Sequence, residues 1–239
     1  MSKLENLSIK LYSDGADLRN IQKLSSNALI SGFTTNPTLM KKAGVSNYEK
    51  FARAAAEVVE GKSISFEIIT DDLTEMAQQA RTIASWGENI SVKIPVMNTS
   101  GTSSYDLIKQ LSSEGIPLNI TAIFTKEQYE NVIDNVNSHC PAIVSIFAGR
   151  IADSGRDPSE NITGAVEYAQ GQDNIEILWA STRETLNIMQ ANNAGCHIIT
   201  VPPEMITKAE SQFDKDLMDF SRETVEMFYK DALSSNFVI

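Results

Sequence analysis

The 239-residue chain has few of the side chains on which disulfide frameworks and thiolate metal centres depend, with two cysteines and two histidines. They stand together as His139-Cys140 and Cys196-His197, each at the start of an apolar run. Neighbouring residues of a strand point to opposite faces, so neither dipeptide can offer both side chains to one ion. The sequence therefore predicts no metal site and no disulfide framework, as is usual in a reducing compartment.

The chain also has no membrane-length apolar run and no excess of positive charge. Residues 1–6 read MSKLEN and do not resemble the apolar core of a signal peptide, which predicts a cytoplasmic protein. The formal charge of −11 at pH 7 argues against nucleic acid or an anionic membrane as a partner. We expect the partners to be small molecules or further copies of the chain.

What the chain does contain is an alternation of strand-like and helix-like segments. Eight apolar runs of strand type occur at residues 9–13, 29–34, 63–68, 90–95, 117–121, 142–147, 175–180 and 197–201. Seven segments of helical periodicity lie at residues 17–26, 47–60, 73–86, 105–113, 126–137, 161–170 and 183–191. A doubly wound open sheet would usually carry a glycine-rich first turn, which is missing. The pattern predicts a single (β/α)₈ barrel domain over residues 1–239.

An additional long amphipathic helix is predicted at the end of the chain, at about residues 213–233. Its apolar stripe comprises Phe213, Leu217, Phe220, Val225, Phe228 and Leu233. Such a stripe suits packing either on the barrel of the same chain or on a neighbouring copy in a homo-oligomer.

Lys93 lies in the middle of the apolar run 90–95, where a primary amine is unusual. Burying an unpaired ammonium is costly, so a lysine in such a place favours the neutral, nucleophilic amine that a Schiff-base enzyme needs. The alternative is an edge strand whose lysine reaches water, because edge strands often carry lysine as protection against aggregation. This segment alone leaves both interpretations open.

Polar side chains end nearly every predicted strand, which is where barrel enzymes carry their active sites. In strand order they are Asp14; Thr34, Thr35 and Asn36; Glu67; Lys93; Asn119 and Thr121; Ser145 and Arg150; and Ser181 and Arg183. Asn119 and Thr121 share one face of their strand because they are two residues apart. The same holds for Ser145 and Phe147. Any one of these residues suits a helix cap or a solvated strand end, but seven polar strand ends together predict a site in the barrel mouth.

Arg150, Ser181 and Arg183 follow the later strands, where barrels commonly bind phosphate. The planar fork of arginine matches phosphate oxygens, and a serine hydroxyl adds a donor. The alternative is that these arginines pair with carboxylates nearby in the sequence. Those carboxylates belong to Asp153, Asp157 and Glu184.

Five motifs together resemble the transaldolases. They are GFTTNPT at residues 32–38, VKIP at 92–95, NIT at 119–121, SIFAGR at 145–150 and ASTR at 180–183. They span most of the chain, in the order of the family, with the lysine on the fourth strand. The resemblance implies a (β/α)₈ barrel and a Schiff-base mechanism of the pentose phosphate pathway that needs neither a metal nor another cofactor.

The resemblance also implies a role for each site residue. Lys93 would form the Schiff base with fructose 6-phosphate or sedoheptulose 7-phosphate, and Asp14 would be the acid/base at the C4 hydroxyl. Glu67 and Thr121 would hold a proton-shuttling water. Among the residues implied in substrate binding, which include Thr34, the amides and hydroxyl of Asn36, Asn119 and Ser145 would hydrogen-bond the dihydroxyacetone unit. Phe147 would form a wall of the site, and Arg150, Ser181 and Arg183 would hold the phosphate.

Two other functions stay open. Fructose 6-phosphate aldolases resemble the chain too, but they carry glutamine and tyrosine where this chain has Glu67 and Phe147, which favours transfer to an aldose phosphate. A non-catalytic barrel that binds sugar phosphate would not need Lys93.

Gly15 replaces the family's usual Thr or Ser after Asp14, which leaves open what supports the aspartate side chain. Short members of the family resemble pentamers and decamers, which implies a homo-oligomer.

Overall fold

Eight parallel strands close into a barrel in the computed structural model, which describes residues 3–235. The strands are β1 (Lys10–Asp14), β2 (Ile30–Thr34), β3 (Ser63–Glu67), β4 (Ile90–Pro95), β5 (Leu118–Ile123), β6 (Ala142–Ile146), β7 (Ile175–Trp179) and β8 (Ile198–Val201). Each strand pairs with its neighbours in chain order, and β8 pairs with β1 to close the sheet. The predicted (β/α)₈ barrel is confirmed, and every predicted apolar run overlaps one strand.

Helices connect the strands and cover the outside of the barrel. They are α1 (Leu18–Ser25), α2 (Pro37–Lys42), α3 (Tyr48–Val58), α4 (Leu73–Ala84), α5 (Tyr105–Ser113), α6 (Lys126–Asn135), α7 (Ala148–Asp153), α8 (Ser159–Tyr168), α9 (Leu186–Asn193), α10 (Pro203–Gln212) and α11 (Leu217–Ser234). The periodicity does not predict α2, α7 or α10, because α2 and α7 have six residues each and α10 follows its strand directly at a proline pair. Within residues 3–235, no helix is long and apolar enough to cross a membrane.

The C-terminal helix is present, but its predicted start at residue 213 is wrong. Phe213 ends α10 in an extended conformation and packs against the barrel core. α11 begins at Leu217, behind Asp216, whose carboxylate accepts hydrogen bonds from the first turn. No residue of α11 is buried. The apolar stripe of α11 therefore lies exposed and does not pack on the barrel of its own chain.

The two faces of the strands differ in chemistry. Outward-facing side chains are mostly large and apolar; Ile64 and Phe66 of β3, for example, are completely buried under the helices. Inward-facing side chains alternate with them and are mostly small or polar, as Ser65 and Glu67 are on the same strand. One pleat below the mouth, the interior is filled by Tyr12, Ile143, Leu178 and Ile198. This apolar layer forms the floor on which the polar strand ends converge.

Candidate active site

Lys93 lies inside the barrel on β4, with Glu67 of β3 and Asn119 of β5 as its register partners. The residue is 7% exposed. Its Nζ lies 3.3 Å from Glu67 Oε2 and donates a hydrogen bond of 3.2 Å to the carbonyl oxygen of Thr35. Because a closed barrel has no free edge, exposure at an edge strand does not account for this lysine. The amine is held between a carboxylate and a carbonyl group inside the mouth.

Asp14 ends β1 opposite Thr34, the last residue of β2. Thr34 Oγ1 donates a hydrogen bond of 2.8 Å to Asp14 Oδ1. Burial raises the pKa of Asp14 above that of an ordinary carboxyl group, although the charge of Lys93 and the bond from Thr34 lower it in part. The charge of Glu204 raises it further. A carboxyl group whose pKa is raised in this way is suited to accept and return a proton during a reaction.

Asn119 is held by two serines from other strands. Its Nδ2 donates a hydrogen bond of 2.9 Å to Ser65 Oγ of β3, and its Oδ1 accepts one of 2.6 Å from Ser145 Oγ of β6. All three side chains are buried. Since both ends of the amide are bound, its orientation is fixed and one amide proton remains for a ligand.

Thr121 lies two residues beyond Asn119 on the same face of β5. Its hydroxyl is buried and makes no hydrogen bond within residues 3–235. The pairing of β5 is irregular beyond Ile120, and Ala122 has a φ of 60°. Irregularities of this kind are common at barrel rims beside functional sites. A buried hydroxyl without a protein partner is suited to bind water or a substrate oxygen.

These side chains surround a small cavity of about 100 Å³ at the barrel mouth. Ten of the twelve predicted site residues line it: Asp14, Thr34, Asn36, Lys93, Asn119, Thr121, Ser145, Phe147, Arg150 and Ser181. Glu67 does not line the cavity but contacts Lys93. Arg183 instead faces an adjoining groove of about 560 Å³, which shares Asp14 and Ser181 with the cavity.

The two arginines differ in their partners. The guanidinium carbon of Arg150 lies 5.4 Å from the ring centroid of Phe147, so this cation stays at the cavity wall. Arg183 Nη2 lies 2.5 Å from Asp153 Oδ2, and this hydrogen bond holds the pKa of Asp153 below its usual range. The alternative pairing with a nearby carboxylate is therefore realised for Arg183. An anion bound at Ser181 would have to share this guanidinium with Asp153.

The loop after β7 packs unusually close to α7. A Cβ atom on Gly149 would lie 1.6 Å from the carbonyl oxygen of Ser181, so this position requires glycine. Ser181 itself has a φ of 64°, and Gly149 N donates a hydrogen bond of 3.2 Å to the carbonyl of Ala180. This contact holds Ser181 and Arg150 at one side of the cavity.

Some side chains of the candidate site are not among the predicted residues. Ser65 lies hidden in an apolar run, and its partner Asn119 comes from two strands away, so only the register reveals the contact. Thr200 of β8 lines the cavity, with its Oγ1 2.5 Å from Thr34 Oγ1. Asn36 has a second task, since its Oδ1 caps α2. Period-two alternation with Glu67 places Ser65 on the inner face, but no sequence signal distinguishes Thr200.

The His–Cys dipeptides take no part in the mouth. Cys140 and Cys196 are buried free thiols, and burial raises the pKa of both. Among the residues the structure describes, no three His, Cys, Asp or Glu side chains are grouped to hold a metal ion.

A family model described as Transaldolase/Fructose-6-phosphate aldolase matches residues 11–236, a range that begins in β1 and includes α11. The chain belongs to this family. Similar curated proteins, each named "Probable transaldolase", come from Dehalococcoides mccartyi and Shouchella clausii. The first is 33% identical over 199 residues, which cover 83% of this chain and 88% of that protein. The second is 30% identical over 225 residues, which cover 91% of this chain and 100% of that protein.

Solved structures share the barrel of this transaldolase/fructose-6-phosphate aldolase family member at much lower identity. The aldolase QR15 is 13% identical with a TM-score of 0.52, over 85% of this chain and 96% of that chain. A protein of the dihydrodipicolinate synthase family from Coccidioides immitis is 10% identical with a TM-score of 0.59, over 81% of this chain and 67% of that chain. At such identity the likeness concerns the fold alone.

Proposed function

We propose that the protein is a transaldolase, which transfers a dihydroxyacetone unit from fructose 6-phosphate or sedoheptulose 7-phosphate to an aldose phosphate. The observation that carries the proposal is a buried amine, Lys93, in contact with Glu67 and in the same mouth as a carboxyl group of raised pKa, Asp14. A nucleophilic amine and a separate acid/base are the two groups that Schiff-base cleavage of a ketose requires.

The reaction begins on Lys93. The neutral amine adds to the C2 carbonyl to form a carbinolamine. The carbinolamine loses water, and the iminium that results accepts the electron pair of the C3–C4 bond. Asp14 takes the proton of the C4 hydroxyl as that bond breaks, so an aldose phosphate leaves and an enamine stays on the lysine. The enamine adds to the carbonyl of a second aldose phosphate, and Asp14 returns the proton.

Water has to be removed and added back at the lysine in each cycle. Glu67 Oε2, at 3.3 Å from Nζ, is positioned to take a proton from the amine. The Thr121 hydroxyl has no hydrogen-bond partner within residues 3–235 and lines the same cavity. Together they support a role in holding the water that shuttles these protons.

Asn36, Asn119 and Ser145 are suited to the hydroxyls of the three-carbon unit, because all three line the cavity. The phosphate end would lie toward Arg150, Ser181 and Arg183. In this arrangement the guanidinium of Arg183, now bound to Asp153, is shared with the phosphate.

The aldolase alternative differs in the fate of the enamine. Glu67 and Phe147 match the residues of transaldolases rather than of the aldolases, which favours transfer to a sugar. Fructose 6-phosphate should therefore react readily with erythrose 4-phosphate and give little free dihydroxyacetone without it. Rapid release of dihydroxyacetone without the acceptor would make the protein an aldolase instead.

Lys93→Met tests whether the barrel is catalytic at all. We expect the variant to lose turnover, whereas Lys10→Met, which changes a lysine on β1 that pairs with Glu176 outside the mouth, keeps it. A non-catalytic sugar-phosphate-binding barrel would bind fructose 6-phosphate equally with either substitution, and its wild type would show no turnover.

We also place the protein in a homo-oligomer, built through α11. Phe228 and Val225 of this helix are 62% and 63% exposed. Apolar faces of this kind are typical of interfaces between subunits.

A further inference from the structure

Thr200 of β8 joins a chain of hydrogen bonds that ends on Asp14. Its Oγ1 lies 2.5 Å from Thr34 Oγ1, and Thr34 Oγ1 donates at 2.8 Å to Asp14 Oδ1. Thr200 and Thr34 are both buried. Because β1 pairs with β8 on one side and β2 on the other, the two threonines meet in front of β1. Three adjacent strands thus contribute one continuous chain at the cavity wall.

The number of protons fixes the direction of these bonds when Asp14 is ionised. A carboxylate only accepts, so Thr34 donates its single hydroxyl proton to Asp14. Thr34 then has no proton left for Thr200, and Thr200 must be the donor between the two hydroxyls. A hydroxyl that receives a hydrogen bond becomes a stronger donor, so Thr200 strengthens the bond that Thr34 makes to the carboxylate.

The same oxygens also accommodate the protonated acid. The Asp14 carboxyl would then donate to Thr34, and the hydroxyl of Thr34 would turn its proton toward Thr200. No heavy atom has to move between the two states, because hydroxyl groups both donate and accept. An ammonium or backbone N–H in the place of Thr34 would hold the ionised state alone.

The hydrogen bonds from Thr200 through Thr34 support the Asp14 carboxyl group, which Gly15 cannot do because it has no side chain. We propose that Thr200 is a positioning residue for the acid/base Asp14 and acts through the hydroxyl of Thr34. The inference rests on the proposed function, in which Asp14 moves the proton as the C3–C4 bond breaks. Lys93 has different partners, Glu67 and the carbonyl of Thr35, so formation of the Schiff base does not depend on the hydrogen bonds from Thr200 through Thr34 to Asp14.

The test separates Schiff-base formation from cleavage of the C3–C4 bond with Thr200→Val. This substitution keeps the shape of the side chain and removes the hydroxyl. We expect its kcat for transfer from fructose 6-phosphate to erythrose 4-phosphate to fall about 10-fold, part of the roughly 10²- to 10⁴-fold that acid/base catalysis contributes. Borohydride trapping of dihydroxyacetone on Lys93 should stay at the wild-type level, because that adduct forms without C–C cleavage.

Thr200→Ser, which keeps the hydroxyl, should restore most of the turnover. Thr163→Val is the control and should leave turnover unchanged, because this threonine lies on α8 and its hydroxyl donates to the backbone carbonyl of Ala194. Thr200→Ala serves as a second hydroxyl-free variant if the valine substitution impairs folding.

A double variant decides whether Thr200 acts through Thr34 or contacts the substrate itself. In the Thr34→Val background, Thr200→Val should cost almost nothing more, because the chain is already broken. An equal loss in both backgrounds would mean independent action and overturn the inference.

The remaining outcomes are equally decisive. Wild-type turnover in Thr200→Val, or a parallel loss of turnover and trapping, would overturn the inference while the proposed function stands. A wild-type protein that neither traps dihydroxyacetone nor turns over would overturn the proposed function, and this inference with it.

Discussion

Asp14 lies in an environment that opposes its charge. Burial raises its pKa, and the Thr34 hydroxyl and the Lys93 charge compensate in part. A carboxyl group whose pKa is higher in the folded protein than in the unfolded chain lowers the free energy of unfolding at pH values where it is ionised. This decrease in the free energy of unfolding disappears as the pH falls below the ordinary carboxyl pKa of 3.8, because Asp14 is then protonated in both the folded and the unfolded protein.

Asp14→Asn should therefore stabilise the protein while it removes activity. We expect the Tm at pH 7 to rise by roughly 2–4 °C, the shift that about 1 kcal/mol produces in a domain of this size. The gain should shrink as the pH is lowered toward 4, and kcat should fall by about 10²- to 10⁴-fold. Thermal unfolding across this pH range and steady-state kinetics provide the check.

Asp173→Asn, at an exposed position before β7, is the control and should change neither property. An Asp14→Asn protein that is less stable than wild type at pH 7 would show that the ionised carboxylate stabilises the folded protein rather than destabilising it.

The side chains of the mouth were predictable to different degrees. Lys93, Asp14 and Glu67 stand out because a charge inside or at the end of an apolar run is conspicuous. Ser65 and Thr200 do not, because serine and threonine are unremarkable in strands and acquire their role from partners two strands away. The pairing of Arg183 with Asp153 was an alternative in the sequence, and only the course of α7 decides it.

At the scale of elements, α7 and the loop after β7 meet at a contact that has no room for a side chain. Gly149→Ala would place a Cβ atom against the Ser181 carbonyl, so the loop after β7 must shift. Overpacking of this kind typically costs about 1–3 kcal/mol. Because Ser181 moves with the loop and Arg150 follows Gly149 on α7, we expect the KM for fructose 6-phosphate to rise at least about 10-fold.

Trapping of dihydroxyacetone, which has no phosphate, should be nearly unchanged in Gly149→Ala. Ala152→Ser, at an exposed position of the same helix, should behave as wild type in both assays. An equal loss with both substrates would mean that the contact serves folding rather than the anion end of the site.

The strands were predictable because each is a short apolar run buried on its outer face. The eighth barrel helix, α10, was not, because Pro202 and Pro203 mark a turn as readily as a helix start. The predicted helix over residues 213–233 also merges two features: Phe213 packs against the core, whereas the stripe from Leu217 onward is exposed. Periodicity describes amphipathic character but not which surface the apolar face meets.

At the scale of the whole molecule, the exposed apolar stripe of α11 indicates that the 26.3 kDa chain does not stay a monomer. Leu217, Val225 and Phe228 expose 80%, 63% and 62% of their surface, which is unfavourable in water. Sedimentation of the wild type should give a mass several times that of one chain. The double variant Val225→Ser with Phe228→Ser should shift it toward the monomer.

Glu226→Gln, between these two positions on α11, should leave the assembly intact. A wild-type protein that sediments as a monomer would contradict the proposed oligomer, although it would leave the chemistry of the barrel mouth untouched.

The proposed chemistry depends on one bond, between Lys93 Nζ and the C2 atom of a ketose. Reduction with borohydride in the presence of fructose 6-phosphate, followed by peptide mass mapping, reports that bond directly. We predict a three-carbon adduct on the peptide that contains Lys93, and none in Lys93→Met. An unmodified Lys93 in an active protein, or an adduct that persists in Lys93→Met, would contradict the Schiff-base mechanism.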